Sequence, residues 1–199
     1  KARKTAAPSP SSSRSLVQSS SGGTPPPAPL PAPAPLPPPA PLIFAITPER
    51  RALLNTIRYA EGTWKQGSRE GYHTLYGGGR FASLERHPEI VVVKRYTSSA
   101  AGAYQFLPGT WSEAARKLQL ESFDPRSQDQ AALYLVDRRG MLAHVDQQGL
   151  TRQAMAVLAR EWASFPNLAG RSAYGQPVKR ADELQRFYSS NLKALANQA

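Results

Sequence analysis

Glu61 is the residue whose position in the sequence most clearly suggests chemistry. It follows Leu53 and Ile57 at intervals of four residues, so the three side chains share one face of a helix. Burial and the negative end of the helix dipole both raise the pKa of a carboxyl group placed there. A glutamate that is protonated near neutral pH can act as the general acid in glycoside cleavage. The alternative is a glutamate that turns into solvent at a frayed helix end.

Two later segments combine small residues with aromatic and amide side chains. Residues 97–111, TSSAAGAYQFLPGTW, place Tyr104 and Gln105 after a run of small residues, which allow a ligand to approach the backbone closely. Residues 161–176 end with Tyr174 and Gln176 in a loop. Aromatic faces and amides suit the recognition of sugars. Taken alone, each segment is explained as well by a connecting loop whose aromatic side chains pack inward.

Helix signals surround these segments. Thr47, Pro48 and Glu49 suit an N-cap and a first helical turn, and Gly62 suits a stop, which predicts a helix over residues 48–61. Residues 71–96 contain three glycines between β-prone runs and predict two or three short strands. From residue 108 onward the apolar spacing is helical. We therefore predict an α+β fold that is mainly α, with about six helices and a small β-hairpin region.

Specific caps are predicted for the later helices. The spacing of Thr110 with Glu113, and of Ser127 with Gln130, is that of a capping box. Thr151 is predicted to be the N-cap of another helix.

The first 44 residues have a different composition from the rest. Thirteen of the 19 prolines lie in residues 1–47, and residues 1–44 contain four basic and no acidic side chains. Such a segment cannot bury a core and is predicted to be a disordered Pro/Ala/Ser-rich tether. Residues 45–199 are predicted to form one domain. The first residue is Lys rather than Met, which indicates either a removed leader or a fragment, and a removed leader together with a Pro/Ala tether suits an exported protein.

Charge and motifs narrow the function classes. Because four of the 25 basic residues lie in the tail, residues 45–199 hold 21 basic and 14 acidic side chains, a net charge of +7 that favours an anionic partner. The chain has no cysteine, no P-loop, no HExxH pairing among its three histidines and no apolar run of membrane-spanning length. We expect no metal, no cofactor, no membrane segment and a monomer. A nucleic-acid-binding protein remains an alternative on charge alone.

Seven short motifs follow one another in a characteristic order. They are AEGT at 60–63, GY…GG at 71–78, SSAAGAYQ at 98–105, FxPxSQD at 123–129, RQA at 152–154, WASxP at 162–166 and YGQ at 174–176. No single motif is specific, but in this order they resemble the phage lambda endolysin family of lysozyme-like enzymes.

The resemblance implies a lysozyme-like fold with a cleft between helices and a small β region. It implies cleavage of the β-1,4 bond between N-acetylmuramic acid and N-acetylglucosamine in peptidoglycan by a lytic transglycosylase, with Glu61 as the single acid and base and a 1,6-anhydro end as product. Peptidoglycan glycan strands are then the expected partner. The implied substrate-binding residues are His73, Gly78, Ser98, Ser99, Tyr104, Gln105, Trp162, Tyr174 and Gln176.

One departure from the family pattern bears on the mechanism. His73 stands where the family has an acid after GY, and a hydrolase normally needs a second carboxylate. The loss fits a one-carboxylate transglycosylase. A hydrolytic lysozyme that recruits a distant acid such as Glu161, and an inactive peptidoglycan-binding module, remain alternatives.

Overall fold

The helix that carries Glu61 begins where its capping signals place it. In the computed structural model, which describes residues 42–197, α1 spans Pro48–Ala60 and the Thr47 hydroxyl accepts a hydrogen bond from the Arg50 N–H at 3.3 Å. The predicted helix extended one residue further, to Glu61, which instead forms the C-cap. The Glu61 N–H still donates to the Ile57 carbonyl at 2.9 Å, so the backbone remains helical up to the candidate acid.

The predicted tether lies almost wholly outside the described residues. Of its residues 1–44, the structure describes the last three, and one of these is bound to the domain. Phe44 exchanges two hydrogen bonds with the side-chain amide of Gln130, at 2.7 and 2.9 Å. The part of the chain that packs as a domain thus includes at least Phe44, and the division at residue 44 stays a prediction.

Five further helices complete the helical part of residues 42–197. They are α2 Pro108–Leu118, α3 Pro125–Arg138, α4 Leu142–Gln148, α5 Arg152–Leu158 and α6 Ala181–Ala196. Helix α1 packs along α6 and also contacts α3 and α4. Its contact with α6 includes a stacked pair of rings, Tyr59 and Phe187, whose centroids lie 4.1 Å apart. The fully buried Leu53, Leu54 and Ile57 anchor α1 in the core, which fixes the direction of its C-terminal end.

The small β region is more irregular than its sequence predicts. Two two-residue strands, β1 Val92–Val93 and β2 Thr97–Ser98, pair antiparallel, with Val92 opposite Ser98. The segment over residues 69–78 forms tight 3₁₀ turns instead of a strand. The glycines explain the difference, because Gly77 and Gly78 adopt φ angles of 75° and 92°, which break an extended run. The predicted class, mainly helical with a small sheet, is confirmed.

The two predicted capping boxes are wrong, whereas the predicted Thr151 cap is confirmed. Helices α2 and α3 begin earlier, at the prolines that occupy their first turns. Asp124 caps α3, and its carboxylate accepts from the Ser127 N–H at 2.8 Å. The Thr151 hydroxyl accepts from the Ala154 N–H at 3.1 Å. No helix in residues 42–197 combines the length and apolar composition that a membrane crossing requires.

Gly102 packs directly against two buried side chains, Gln128 of α3 and Phe123 just before that helix. Its φ is +82°, and a Cβ added there would lie 2.3 Å from the side-chain oxygen of Gln128 and 2.8 Å from the Phe123 ring. Gln128 is fully buried and bonded, so it cannot move aside cheaply.

We expect Gly102→Ala to lower the free energy of unfolding by about 3 kcal/mol or more, since backbone strain and overpacking add. Gly140→Ala is the matched control, because Gly140 has φ +69° with no atom near the added Cβ. It should cost only the strain, about 1 kcal/mol. Urea denaturation of both variants measures the difference, and equal losses would contradict the close approach.

Candidate active site

Glu61 projects from the end of α1 into a cleft of about 490 Å³. Its Oε1 accepts a hydrogen bond of 2.5 Å from the Ser164 hydroxyl. Burial raises the pKa of Glu61 from 4.5 to about 7, and the hydrogen bond from Ser164 opposes that rise. A substantial fraction of the Glu61 carboxyl is therefore protonated at neutral pH, as a general acid requires.

Two loops form opposite walls of the cleft. The β hairpin contributes Tyr96, Thr97 and Ser98 to one wall, and the loop after α5 contributes Tyr174 and Gln176 to the other. Tyr174 is 61% exposed and Tyr96 is 38% exposed, so both rings are open to a ligand. The predicted binding residues that line the cleft are Ser98, Gln105, Trp162, Tyr174 and Gln176.

The other four predicted binding residues lie outside the cleft lining. Tyr104 is fully buried, and its hydroxyl donates to the Asp129 carboxylate at 2.5 Å. His73 is within 3.1 Å of the Phe81 carbonyl oxygen through Nδ1. Gly78 donates its N–H to the Leu75 carbonyl in the turn that presents Tyr76, and Ser99 lies between two lining residues. Of these four residues Tyr104 is buried, whereas Gly78 is exposed and His73 and Ser99 are half-buried, and direct contact with a glycan stays a prediction for them.

Sequence reasoning missed other residues that line the cleft. They are Tyr76, Tyr96, Thr97, Ala100, Leu107, Thr110, Arg160 and Ala163; Glu161, named above as a possible second acid, also lines the cleft. Tyr76 precedes the glycine turn and Tyr96 precedes the small-residue segment, and their aromatic type was the only signal available in the sequence. Arg160 and Leu107 carry no local pattern, because their position depends on how the helices pack.

A buried polar cluster holds the walls of the cleft at fixed positions. The Gln128 amide accepts from the Ala103 N–H at 2.8 Å and donates to the Tyr72 carbonyl at 3.2 Å. The Asp129 carboxylate accepts the hydroxyls of Tyr72 and Tyr104, at 2.8 and 2.5 Å. Adjacent residues of α3 therefore fix both the turn before His73 and the turn that carries Gln105.

The turn that contains Ala103, Tyr104 and Gln105 is also hydrogen-bonded to the two segments beside Glu61. The Thr63 hydroxyl donates to the Ala103 carbonyl at 2.5 Å, and the Trp162 indole donates to the Tyr104 carbonyl at 3.1 Å. Thr63 follows Glu61 by two residues, and Trp162 precedes Ser164 by two. The catalytic candidate, its hydrogen-bond donor and the Gln105 turn are thus held by one connected set of bonds.

Glu161 is the second carboxylate in the lining of the cleft. Its oxygens accept hydrogen bonds from Arg138 at 2.7 to 3.2 Å and from the Arg139 Nε at 2.6 Å. The side chain is only 5% exposed. Two guanidinium groups therefore hold this carboxylate in a structural ion-pair cluster. Residues 42–197 contain no group of three or more His, Cys, Asp or Glu side chains arranged to hold a metal.

Known proteins share both the sequence and the fold. The Endolysin family profile matches residues 51–195. The endolysin of Escherichia phage lambda is 35% identical over 144 residues, covering 70% of this chain and 88% of the phage protein. The endolysin of Escherichia phage P2 is also 35% identical, over 147 residues, covering 67% of this chain and 86% of that protein.

Two solved structures show the same architecture. Bacteriophage lambda lysozyme complexed with a chitohexasaccharide superposes with a TM-score of 0.68 at 33% identity, covering 75% of this chain and 97% of the other. A further structure of lysozyme from bacteriophage lambda gives a TM-score of 0.61 at 28% identity, covering 78% and 96%. These matches confirm the resemblance carried by the motifs and the lysozyme-like fold. The chain therefore belongs to the endolysin family, whose members are lysozyme-like enzymes that degrade peptidoglycan.

Proposed function

We propose that residues 45–199 form a lytic transglycosylase that cleaves the β-1,4 bond between N-acetylmuramic acid and N-acetylglucosamine and leaves a 1,6-anhydro-muramic end. The observation that carries this proposal is the Glu61 carboxyl, which opens into the cleft with a pKa raised to about 7. The other carboxylate of the cleft lining is held by two arginines.

Glu61 performs both proton transfers in the proposed reaction. Its carboxyl proton passes to the glycosidic oxygen as the bond from that oxygen to C1 of the muramic sugar breaks. The resulting carboxylate then takes the proton of the 6-hydroxyl of the same sugar as that oxygen bonds to C1. The proton count balances, no water is consumed, and the Ser164 hydroxyl stabilises the transient carboxylate at 2.5 Å.

The alternative, hydrolysis, needs a second carboxylate about 5 Å from the first, or about 6.5–9.5 Å away with water between them. Glu161 is the lining residue of the right type, but Arg138 and Arg139 already engage both its oxygens. A carboxylate held by two guanidinium groups is a poor nucleophile and a poor base. The geometry therefore favours attack by the substrate's own hydroxyl.

The open rings and amides of the cleft supply the proposed glycan contacts. Tyr76, Tyr96 and Tyr174 present aromatic faces to sugar rings, and Gln105 and Gln176 present amides to their hydroxyl and acetamido groups. The related lambda lysozyme was solved with a chitohexasaccharide, which supports a glycan as the ligand here. Ser98 and Trp162 complete the proposed lining, whereas His73, Gly78, Ser99 and Tyr104 are proposed to hold it in place.

Digestion of peptidoglycan in heavy-oxygen water tests the reaction type. We expect products that end in 1,6-anhydro-muramic acid and carry no label, because intramolecular attack uses no water. Mass spectrometry of the released muropeptides measures both properties. Label in most new ends would make the enzyme a hydrolase and would overturn the proposed mechanism.

Replacing Glu61 by Gln should lower activity by at least ~100-fold, because the amide cannot exchange the proton. The same change should raise the free energy of unfolding at pH 8 by about 1–3 kcal/mol. The folded state of the wild type binds the Glu61 proton more tightly than the unfolded state, so wild-type stability falls as the pH rises from 4.5 to about 7.

The stabilisation by Glu61→Gln should therefore shrink towards zero below pH 4.5. Denaturation at several pH values and turbidity loss of cell-wall suspensions measure the two effects. Glu85→Gln, at an exposed position, is the control and should change neither. An active Gln variant would remove Glu61 from the mechanism.

Replacing Ser164 by Ala should move the alkaline limb of the kcat/KM profile upward by about 0.5–1 pH unit. The hydroxyl stabilises the carboxylate form of Glu61, so its loss raises the pKa of the acid. Ser172→Ala is the control, because that hydroxyl donates to the Ala163 carbonyl instead. A limb that moves equally in both variants, or in neither, would show that Ser164 does not tune Glu61.

A further inference from the structure

A second concave surface lies on the opposite flank of α2 from the cleft. It encloses about 740 Å³, within the size range of ligand pockets. Trp111 and the buried His87 form part of its floor, and Arg86, Glu89, Arg116 and Glu121 stand around it. We call this surface the α2 groove.

The four charged side chains of the α2 groove are available to a ligand. All four are exposed, and none forms an ion pair within residues 42–197. The nearby Glu113 on the other flank of the same helix is by contrast bound by Arg138 at 2.9 Å. The groove therefore presents two guanidinium and two carboxylate groups that no side chain of residues 42–197 neutralises.

His87 in the floor of the groove is not free to bind, because both ring nitrogens already have partners. Its Nδ1 accepts from the Glu89 N–H at 3.1 Å, and its Nε2 lies 2.8 Å from the Phe106 carbonyl oxygen. Burial lowers the pKa of His87, which keeps the ring neutral at neutral pH. The charge of the groove is thus balanced, with two positive and two negative groups.

The cleft and the α2 groove meet at the N-terminal end of α2. Leu107 and Thr110 line the cleft, whereas Pro108, Trp111 and Ser112 line the groove. Because Leu107 and Pro108 are consecutive residues, the two linings border each other there. An extended peptide of four residues spans about 14 Å. A short peptide attached to a glycan in the cleft can therefore pass the N-terminal end of α2 and reach the groove.

We propose that the α2 groove binds the peptide arm attached to the muramic sugar of peptidoglycan; this inference rests on the proposed function of the cleft. Uncrosslinked peptide arms carry carboxylates together with a free amino group, which complements guanidinium and carboxylate groups standing side by side. A purely anionic polymer would be repelled by Glu89 and Glu121, and a purely cationic one by Arg86 and Arg116. An unsubstituted glycan would leave all four charges without partners.

The test compares two substrates with the intact chain. One is peptide-bearing glycan strands, and the other is the same strands after an amidase has removed the peptides. We expect the double variant Arg86→Gln/Arg116→Gln to lower kcat/KM on peptide-bearing strands by about fivefold. On stripped strands it should match the wild type. Lys117→Gln/Arg126→Gln is the matched control, since it removes the same charge at positions outside the groove lining, and it should act alike on both substrates.

A second double variant separates specific binding from general attraction. Glu89→Gln/Glu121→Gln should also lower kcat/KM on peptide-bearing strands if the amino group of the peptide is recognised. Faster cleavage by this variant would mean that the groove only attracts anionic polymers, which would overturn the proposal. The proposal would also be overturned if the double variants lost kcat/KM equally on both substrates. It would be overturned likewise if neither double variant lost kcat/KM on peptide-bearing strands. A wild type that cleaves neither substrate would instead refute the proposed function of the cleft.

Discussion

The cleft depends on two adjacent buried polar side chains, Gln128 and Asp129, which hold together segments that are far apart in the chain. An unpaired amide or carboxylate in the core would cost several kcal/mol, so these residues are stable only when their partners are present. Their partners are the backbone and hydroxyl groups of Tyr72, Ala103 and Tyr104, the Phe123 carbonyl, and the Arg51 guanidinium, which donates to the Asp129 carboxylate at 2.8 Å. The requirement to satisfy two buried polar groups thereby positions the Gln105 turn against the end of α1.

The desolvated position of Glu61 in this framework lowers the stability of the folded protein. The surrounding protein desolvates the Glu61 carboxyl, and the Ser164 hydroxyl is the hydrogen-bond donor that opposes the resulting rise of its pKa. An ionised glutamate is least stable in such a place, and this same property makes it an acid near neutral pH. The fold offsets the cost through the apolar contacts of α1 with the rest of the core.

Helix α2 gives the two concave surfaces of the molecule a common wall. Its first turn faces the cleft on one flank and the α2 groove on the other, so a substrate with a main chain and side arms can contact both flanks at once. Glu161 on the cleft side and the four charged side chains of the groove differ in whether they form ion pairs. On the cleft side, Glu161 is neutralised by the protein's own Arg138 and Arg139, whereas the charges of the groove have no partner within residues 42–197. Glu161 beside the cleft is thus paired within the protein, whereas the four charges of the groove remain open to the proposed peptide arm.

The sequence by itself determined the helix that ends just before Glu61, because an N-cap, a proline and a four-residue apolar spacing are local signals that act within one turn. Its ordered motifs also identified the family and named five residues of the cleft lining, Ser98, Gln105, Trp162, Tyr174 and Gln176. Only the tertiary structure decided that Tyr104 is buried against Asp129, that Glu161 is held by two arginines and that Ser164 donates to Glu61. Each of these contacts joins residues that are more than 20 positions apart in the sequence. No local pattern encodes such a contact, because it exists only once the helices have packed.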